Sequence, residues 1–247
     1  EREEAVLRAK ASFLSLVSHE FRTPLAIIQT STELLRNHYD NMPEDRRDKH
    51  FDQIETQVFK LTSMLNEILH IGRIGTATFE TNARRIFIEQ FCRDISRSVQ
   101  TSTGNTHNIV FSSAGVAPPL IVDREYLEHA LTHVIENAIH FSPDQERIEI
   151  DINARSDRVL ITVTDHGIGI EPADLPHVFE FFYRGSNAGD IAGNGLGLSF
   201  ARQVIELHHG HIKVESTPDQ GTIVTITLPL NNGLIDHTAA RPSIPDA

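Results

Sequence analysis

The stretch VLITVTDHGIGIEPADLPHVFEFFYRGSNAGDIAGNGLGL, residues 159–198, holds two glycine clusters separated by an irregular segment. Its first six residues, 159–164, form a β-branched run of the kind that makes a strand. That run leads directly into Asp165-His-Gly-Ile-Gly-Ile170, and Gly193-Asn-Gly-Leu-Gly-Leu198 then opens a helical window that reaches His209. Backbone beside glycine can approach a phosphate closely, and a helix N-terminus offers unpaired N–H groups and positive potential. Either cluster alone reads equally well as a plain turn. Two of them bracketing a stretch with Gly, Asn and Pro read as a lid over a nucleotide.

The charges between the clusters narrow this reading. From His166 to Gly197 the only Lys or Arg is Arg184, against Glu171, Asp174, Glu180 and Asp190. A triphosphate held here would need a divalent cation, backbone amides and the helix terminus rather than a basic pocket. Asn137, late in the helical window 124–141, is a candidate oxygen ligand for Mg²⁺; the plain reading is an Asn near a helix end.

Around this stretch, short strand-like runs appear at 147–152, 211–215 and 222–228, with helical windows at 89–99, 124–141 and 196–209. Asp123 is placed as N-cap of the second window and Gly210 as the C′ residue of the third. Consecutive strands occur without a helix between them, so an α+β sandwich fits better than a doubly wound parallel sheet. Residues 231–247 lack periodicity and read as a linker or tail.

Residues 1–75 follow another grammar. Apolar residues at Leu14, Val17, Phe21, Leu25 and Ile28, and at Phe51, Ile54, Val58, Leu61, Leu65 and Ile68, step by threes and fours. This is the seam of a helix packing lengthwise on others. Turn residues at 39–44 join two helices into a hairpin. With one apolar face and no second layer, the hairpin should pair with a copy of itself as a four-helix bundle. His19 lies roughly 160° around the first helix from that face. An exposed His is most simply a surface residue, but Pro24 bends the helix just beyond it. A neutral imidazole is also a competent nucleophile at neutral pH. Glu20, one residue on, points about 100° away, so its role does not follow from geometry.

Composition excludes several classes. With 34 Asp+Glu against 22 Lys+Arg, the net charge is −12, which argues against nucleic acid as a partner. No run approaches the ~20 apolar residues of a membrane-spanning helix, and the lone Cys92 excludes a disulfide framework or a Cys-rich zinc site. Residues 1–75 hold 12 acids and 10 bases, the remainder 22 and 12, so the acidity sits with the glycine clusters. The chain begins at Glu1 rather than Met and reads as a piece of something longer.

Together these residues resemble the two-component sensor histidine kinases. Phe13-Leu-Ser-Leu-Val-Ser-His-Glu-Phe-Arg-Thr-Pro-Leu25 is similar to the phospho-acceptor H-box, and Leu131–Pro143 to the N-box. Asp165–Ile170 resembles the first glycine box, Val178–Arg184 the F-box and Gly193–Leu198 the second glycine box, all in the family's order. The resemblance implies a dimerisation and histidine-phosphotransfer hairpin (1–75), an ATP-binding domain of the GHKL type, an α/β sandwich (76–230), and a tail (231–247). It implies that His19 accepts the γ-phosphoryl group of ATP, Glu20 assists as general base, and Thr23 supports dephosphorylation of the partner. Asn137 would bind Mg²⁺, and Asp165 the adenine amino group. Phe141 would lie against the base, and His140, Phe182 and Thr222 would border the nucleotide. Gly167, Gly169, Gly193, Gly195 and Gly197 would shape the lid, Leu196 and Leu198 would seat its helix, and Arg184 would reach the phosphates. The implied partners are a response-regulator receiver domain and a second copy through residues 1–75. The implied location is cytoplasmic, with or without a membrane anchor on the full-length protein, and the resemblance implies an upstream sensor domain that this piece lacks.

Four positions depart from the family's pattern. His133 stands where a first Asn is usual, His140 where Lys is common, Phe181 where a cation is frequent, and His209 in place of the first Gly of a His-Gly-Gly turn. The cluster His208, His209 and His211 reads as this turn and a strand start rather than a metal site. Two other functions compete with autokinase activity. One is an ATPase clamp like gyrase or the heat-shock chaperone, which would need a carboxylate where His133 stands. The other is a nucleotide-binding phosphatase or scaffold.

Overall fold

The computed structural model describes residues 2–73, 82–104, 106–142, 147–189, 191, 193–231 and 233–234, with the backbone alone for 2–14, 71 and 73. The chain divides into two compact units, Glu1–Gly72 and Arg73–Ala247. The expected boundary at 75/76 and the tail residues 235–247 lie outside the described residues.

In the first unit, α1 (Arg2–His38) and α2 (Glu44–Arg73) are joined by a 3-10 turn at Tyr39–Asn41. The turn residues expected at 39–44 make this connection; Arg46 and Arg47 N–H both donate to Pro43 O as α2 begins. Pro24 does not end α1, which runs through it to His38. Proline there removes the N–H that would otherwise bond the Glu20 carbonyl. Ser31 Oγ donates to Gln53 Oε1 at 3.1 Å and so ties the helices together. The expected seam splits in two. Val17, Phe21, Ile28, Ile54, Leu61 and Ile68 are half-buried, whereas Leu25, Phe51, Val58 and Leu65 are exposed. Phe51, Val58 and Leu65 are seven residues apart and so share one line along α2.

The second unit runs β1 (Ala83–Ile86), α3 (Ile88–Ser102), β2 (Asn108–Ala114), β3 (Leu120–Asp123), α4 (Arg124–His140), β4 (Arg147–Ala154), β5 (Arg158–Thr164), α5 (Gly197–Leu207), β6 (His211–Thr217) and β7 (Gly221–Pro229). Five strands form one sheet in the order β2-β4-β5-β7-β6. β2 lies parallel to β4, and every other neighbour is antiparallel. β1 and β3 pair separately, with Ile86 opposite Leu120. Alternate residues of each strand point to one face. Ile148, Ile150 and Ile152 of β4, Val159, Ile161 and Val163 of β5, and Val224, Ile226 and Leu228 of β7 are therefore all buried. The helices contribute Leu127, Leu131 and Ile135 from α4 and Phe200, Val204 and Ile205 from α5. The architecture is mixed: a helical hairpin, followed along the chain by an α/β sandwich.

Two caps fix the ends of α4 and α5. Asp123 accepts from the Tyr126 N–H at the start of α4 and from the Asn82 N–H at 2.8 Å. At the end of α5 the expected assignment of Gly210 shifts by one residue. His209 occupies C′ with φ 55°, its N–H donating to Glu206 O, and Gly210 N–H reaches Ile205 O at 2.8 Å. This pair of bonds is a Schellman motif. Gly210 is still required, because a Cβ there would stand 2.5 Å from Thr227 O. His208, just before, is fully buried: its Nε2 accepts from Asp123 N–H and its Nδ1 donates to Val204 O, joining the two caps. Cys92 is also buried, and burial pushes its thiol up to about 12.

Candidate functional site

In the hairpin, His19 is almost fully open to solvent. Its Nδ1 stands 3.4 Å from Glu20 Oε1, at the long end of hydrogen-bonding range. The expectation that adjacent helical residues diverge holds for their Cα–Cβ directions, but the Glu side chain is long enough to fold back to the ring. A carboxylate can only accept, so the contact places the proton on Nδ1 of a neutral ring and leaves the Nε2 lone pair outward. Thr23, one turn on, is exposed beside this pair.

In the second unit, the end of β5 delivers Asp165 to the floor of a glycine-built cradle. Asp165 is buried. Its Oδ1 accepts from the Gly167 N–H at 3.0 Å and the Thr222 N–H at 3.1 Å. Burial raises its pKa, partly offset by these backbone bonds and by the charge of His166. Backbones crowd so closely here that side chains have no room. A Cβ on Gly167 would sit 1.9 Å from Phe141 O, and one on Gly169 (φ +66°) 2.1 Å from Thr217 O. Gly221, at φ +101°, meets Asp165 O in the same way at 2.0 Å. Ile168 N–H bonds Phe141 O at 3.0 Å and so ties the first glycine box to the end of α4.

Three expected residues line that end of α4. Asn137 is half-buried, and its carboxamide makes no hydrogen bond among the described residues. His140, in the last turn, has its pKa lowered by partial desolvation of its ring. Phe141 is the C-cap. Thr222 contributes its backbone to Asp165, and its hydroxyl meets Ser216 Oγ at 2.9 Å.

The second glycine box is held by the F-box. Phe182 adopts φ 63°, costly for a bulky side chain, and its N–H bonds Gly195 O at 2.9 Å. Gly195, itself at φ +71°, would place a Cβ 2.6 Å from Phe182 C. Leu196 is fully buried as N-cap of α5, with Leu198 half-buried two residues further in. Gly197 rests on the His133 ring, 3.3–3.4 Å from where its Cβ would be. Gly193 is exposed and unconstrained. Arg184 donates to Gly189 O at 2.9 Å and Ile191 O at 2.7 Å, so here it laces the lid backbone. The acids nearby are partly spoken for. Asp174 accepts from Tyr183 Oη and from the Ser186 N–H and hydroxyl, which hold its carboxyl below the usual range. Glu180 accepts from His177 at 2.7 Å.

His133, where a clamp would carry a carboxylate, packs edge-on against Phe200 at 5.6 Å. Burial, then the neighbouring His129, lowers its pKa to about 4. A ring this reluctant to take a proton is a poor base.

Sequence reasoning missed Ser142, Gly221 and Ser216. Ser216 Oγ accepts from Ile170 N–H and donates to Gly221 O, so it joins the first glycine box to the β6–β7 turn. Gly221 carries a readable signal, Asp-Gln-Gly before a β-branched run; the two serines carry none.

Three features of this cradle stand together. Its backbones meet too closely for side chains, a carboxylate is buried in its floor, and an uncommitted carboxamide stands on α4. Relatives agree with that geometry. Residues 122–232 match the family of histidine kinase-, DNA gyrase B- and HSP90-like ATPases, and residues 9–77 match the His kinase A phospho-acceptor domain. The sensor histidine kinase CpxA of Escherichia coli is 32% identical over 233 residues, 92% of this chain and 48% of that protein. The circadian input-output histidine kinase CikA of Synechocystis is 30% identical over 234 residues, 90% and 31% respectively. The chain thus spans half or less of the length of these two relatives. The histidine kinase ThkA, solved in complex with the response regulator protein TrrA, shares the fold with a TM-score of 0.75 at 20% identity, over 94% of this chain and 65% of that one. The match of residues 9–77 to a phospho-acceptor domain and of 122–232 to a histidine kinase-like ATPase, along one chain, means that the chain belongs to the two-component sensor histidine kinases.

Proposed function

We propose that this chain is an ATP-dependent protein-histidine kinase that phosphorylates His19 and passes the phosphoryl group to an Asp of a response-regulator receiver domain. The observation that carries this reading is the exposed His19 ring with Nδ1 directed at Glu20, in a chain that also holds the Asp165 cradle. Asp165 Oδ2, which takes neither backbone bond, would accept from the adenine amino group. Asn137 would hold Mg²⁺, and the lid amides and Arg184 would face the phosphates. When bound, ATP supplies the phosphoryl group and Mg²⁺ neutralises its charge, the main demands of a loose transfer.

His19 Nε2 attacks the γ-phosphorus; the N–P bond forms as the P–O bond to ADP breaks. Glu20 takes up the Nδ1 proton as the ring gains positive charge. Transfer onward exchanges the N–P bond for a P–O bond to the receiver carboxylate. Thr23, exposed one turn from His19, would assist the hydrolysis of that acyl phosphate, in which water takes the phosphoryl group and inorganic phosphate and the free carboxylate leave. The complex of the similar kinase ThkA with a response regulator supports the choice of partner. Self-association through residues 1–75 is supported by the exposed line of Phe51, Val58 and Leu65.

The test is incubation with γ-labelled ATP. Label that is acid-labile, alkali-stable and absent from His19→Gln is expected; steady phosphate release without protein label would falsify the reading.

A further inference from the structure

His107 precedes β2, thirty residues before Asn137, and lies outside every motif that the sequence displays. It is buried. Its Nε2 stands 2.7 Å from Ser142 O, and since a carbonyl only accepts, Nε2 carries the proton. Nδ1 is then the acceptor, 2.9 Å from the Thr106 hydroxyl. A neutral ring is thus fully satisfied in one tautomer, anchored to the first residue beyond the cap of α4.

That anchor point is where the nucleotide floor is assembled. Phe141 O receives Ile168 N–H, and a Cβ on Gly167 would stand 1.9 Å from Phe141 O and 2.7 Å from the Ser142 hydroxyl. The segment is clamped from one side by the first glycine box and from the other by His107. We infer that His107 is a positioning residue of the nucleotide site: through Ser142 it holds the end of α4 in register with Asp165, and so sets the affinity for the adenine nucleotide without touching it. This rests on the nucleotide-binding reading above.

Two replacements separate the hydrogen bond from other effects of the ring. His107→Leu removes the donor, and His107→Gln restores an N–H of similar reach. Both remove the imidazole ring equally, so their difference reports the bond to Ser142. Binding is read with ADP by titration calorimetry on the full chain. Losing a buried donor to a carbonyl should weaken ADP about tenfold in His107→Leu, with His107→Gln within about threefold of the parent. KM for ATP should rise in His107→Leu while the autophosphorylation rate at saturating ATP stays put. Thr106→Val, at an exposed position, should weaken ADP in the same direction by loosening the tautomer, and it serves if His107→Leu does not fold. ADP bound as tightly by His107→Leu or, in its place, by Thr106→Val as by the parent would overturn the inference. So would a His107→Gln no better than His107→Leu. A parent protein that binds no ADP would instead sink the nucleotide reading itself.

Discussion

Asp165 and Thr222 grip each other at three points: Asp165 N–H donates to Thr222 O at 2.9 Å, and the Thr222 N–H faces both the backbone oxygen and the Oδ1 of Asp165, at 3.3 and 3.1 Å. The carboxylate therefore cannot swing away from the floor of the cradle, although burial makes its charge unwelcome there.

For a carboxyl whose folded pKa is raised, the folded protein holds the proton more tightly than the unfolded chain. Stability therefore falls as pH rises from the ordinary Asp range through the raised value. Asp165→Asn should melt higher than the parent at pH 7 and yet bind ADP about 10- to 100-fold more weakly, the loss expected for a hydrogen bond to a charged group. Melting curves at pH 4 and pH 7, paired with ADP titrations, check both halves. A variant that loses stability at pH 7 would contradict the argument.

His140 is pushed toward the neutral form before any ligand arrives. Phosphate oxygens near it would raise its pKa again, so nucleotide binding should take up a proton. Affinity should then climb as pH falls from the bound pKa toward the lowered free one, and level off below it. His140→Lys should flatten this dependence and bind ATP more tightly at pH 8. Calorimetry in buffers of different ionisation enthalpy measures the proton directly.

The glycines are not equivalent. Gly167→Ala forces a methyl into the Phe141 carbonyl and should cost about 1–3 kcal/mol of stability, with loss of nucleotide binding. Gly193→Ala meets nothing within 4 Å and should be close to silent in both assays. Equal effects from the two substitutions would mean that the close approach at Gly167 is not what selects glycine there.

Val58 and Leu65 expose about half their surface on one line of α2. Replacing both with Asp should leave the helical content by circular dichroism unchanged and turn a dimer into a monomer in sedimentation at micromolar concentration. A parent protein that is already monomeric would remove this face from the dimer reading.

The strands β4 to β7 and helices α3 to α5 were visible in the sequence because each is a run of one period bounded by turn residues. β1, β2 and β3 were not. Ala83–Ile86 is four residues long with two arginines in the middle, and Leu120–Asp123 merges into the helix that follows it. Asn108–Ala114 is an edge strand whose polar half breaks the alternation, and its parallel pairing with β4 leaves no trace in local spacing. The site divides likewise. Asp165 and the glycines could be read because backbone contact restricts the residue type at those positions. The partners that His107, Ser142 and Ser216 hold on other elements lie 35 and 46 residues away in sequence, and only tertiary packing brings them together. The split of the hairpin seam was hidden for a related reason: helical spacing marks which residues are apolar, not which of two neighbours will cover them.

Cys92 is the chain's single cysteine, and its thiol is buried and held protonated to about 12. Thiol reagents act on the thiolate, so the native chain is a chemical blank for them. A cysteine introduced at the open Gly193 could carry a spin label or fluorophore on the second glycine box with no background to remove, which makes lid movement measurable in an otherwise unaltered protein.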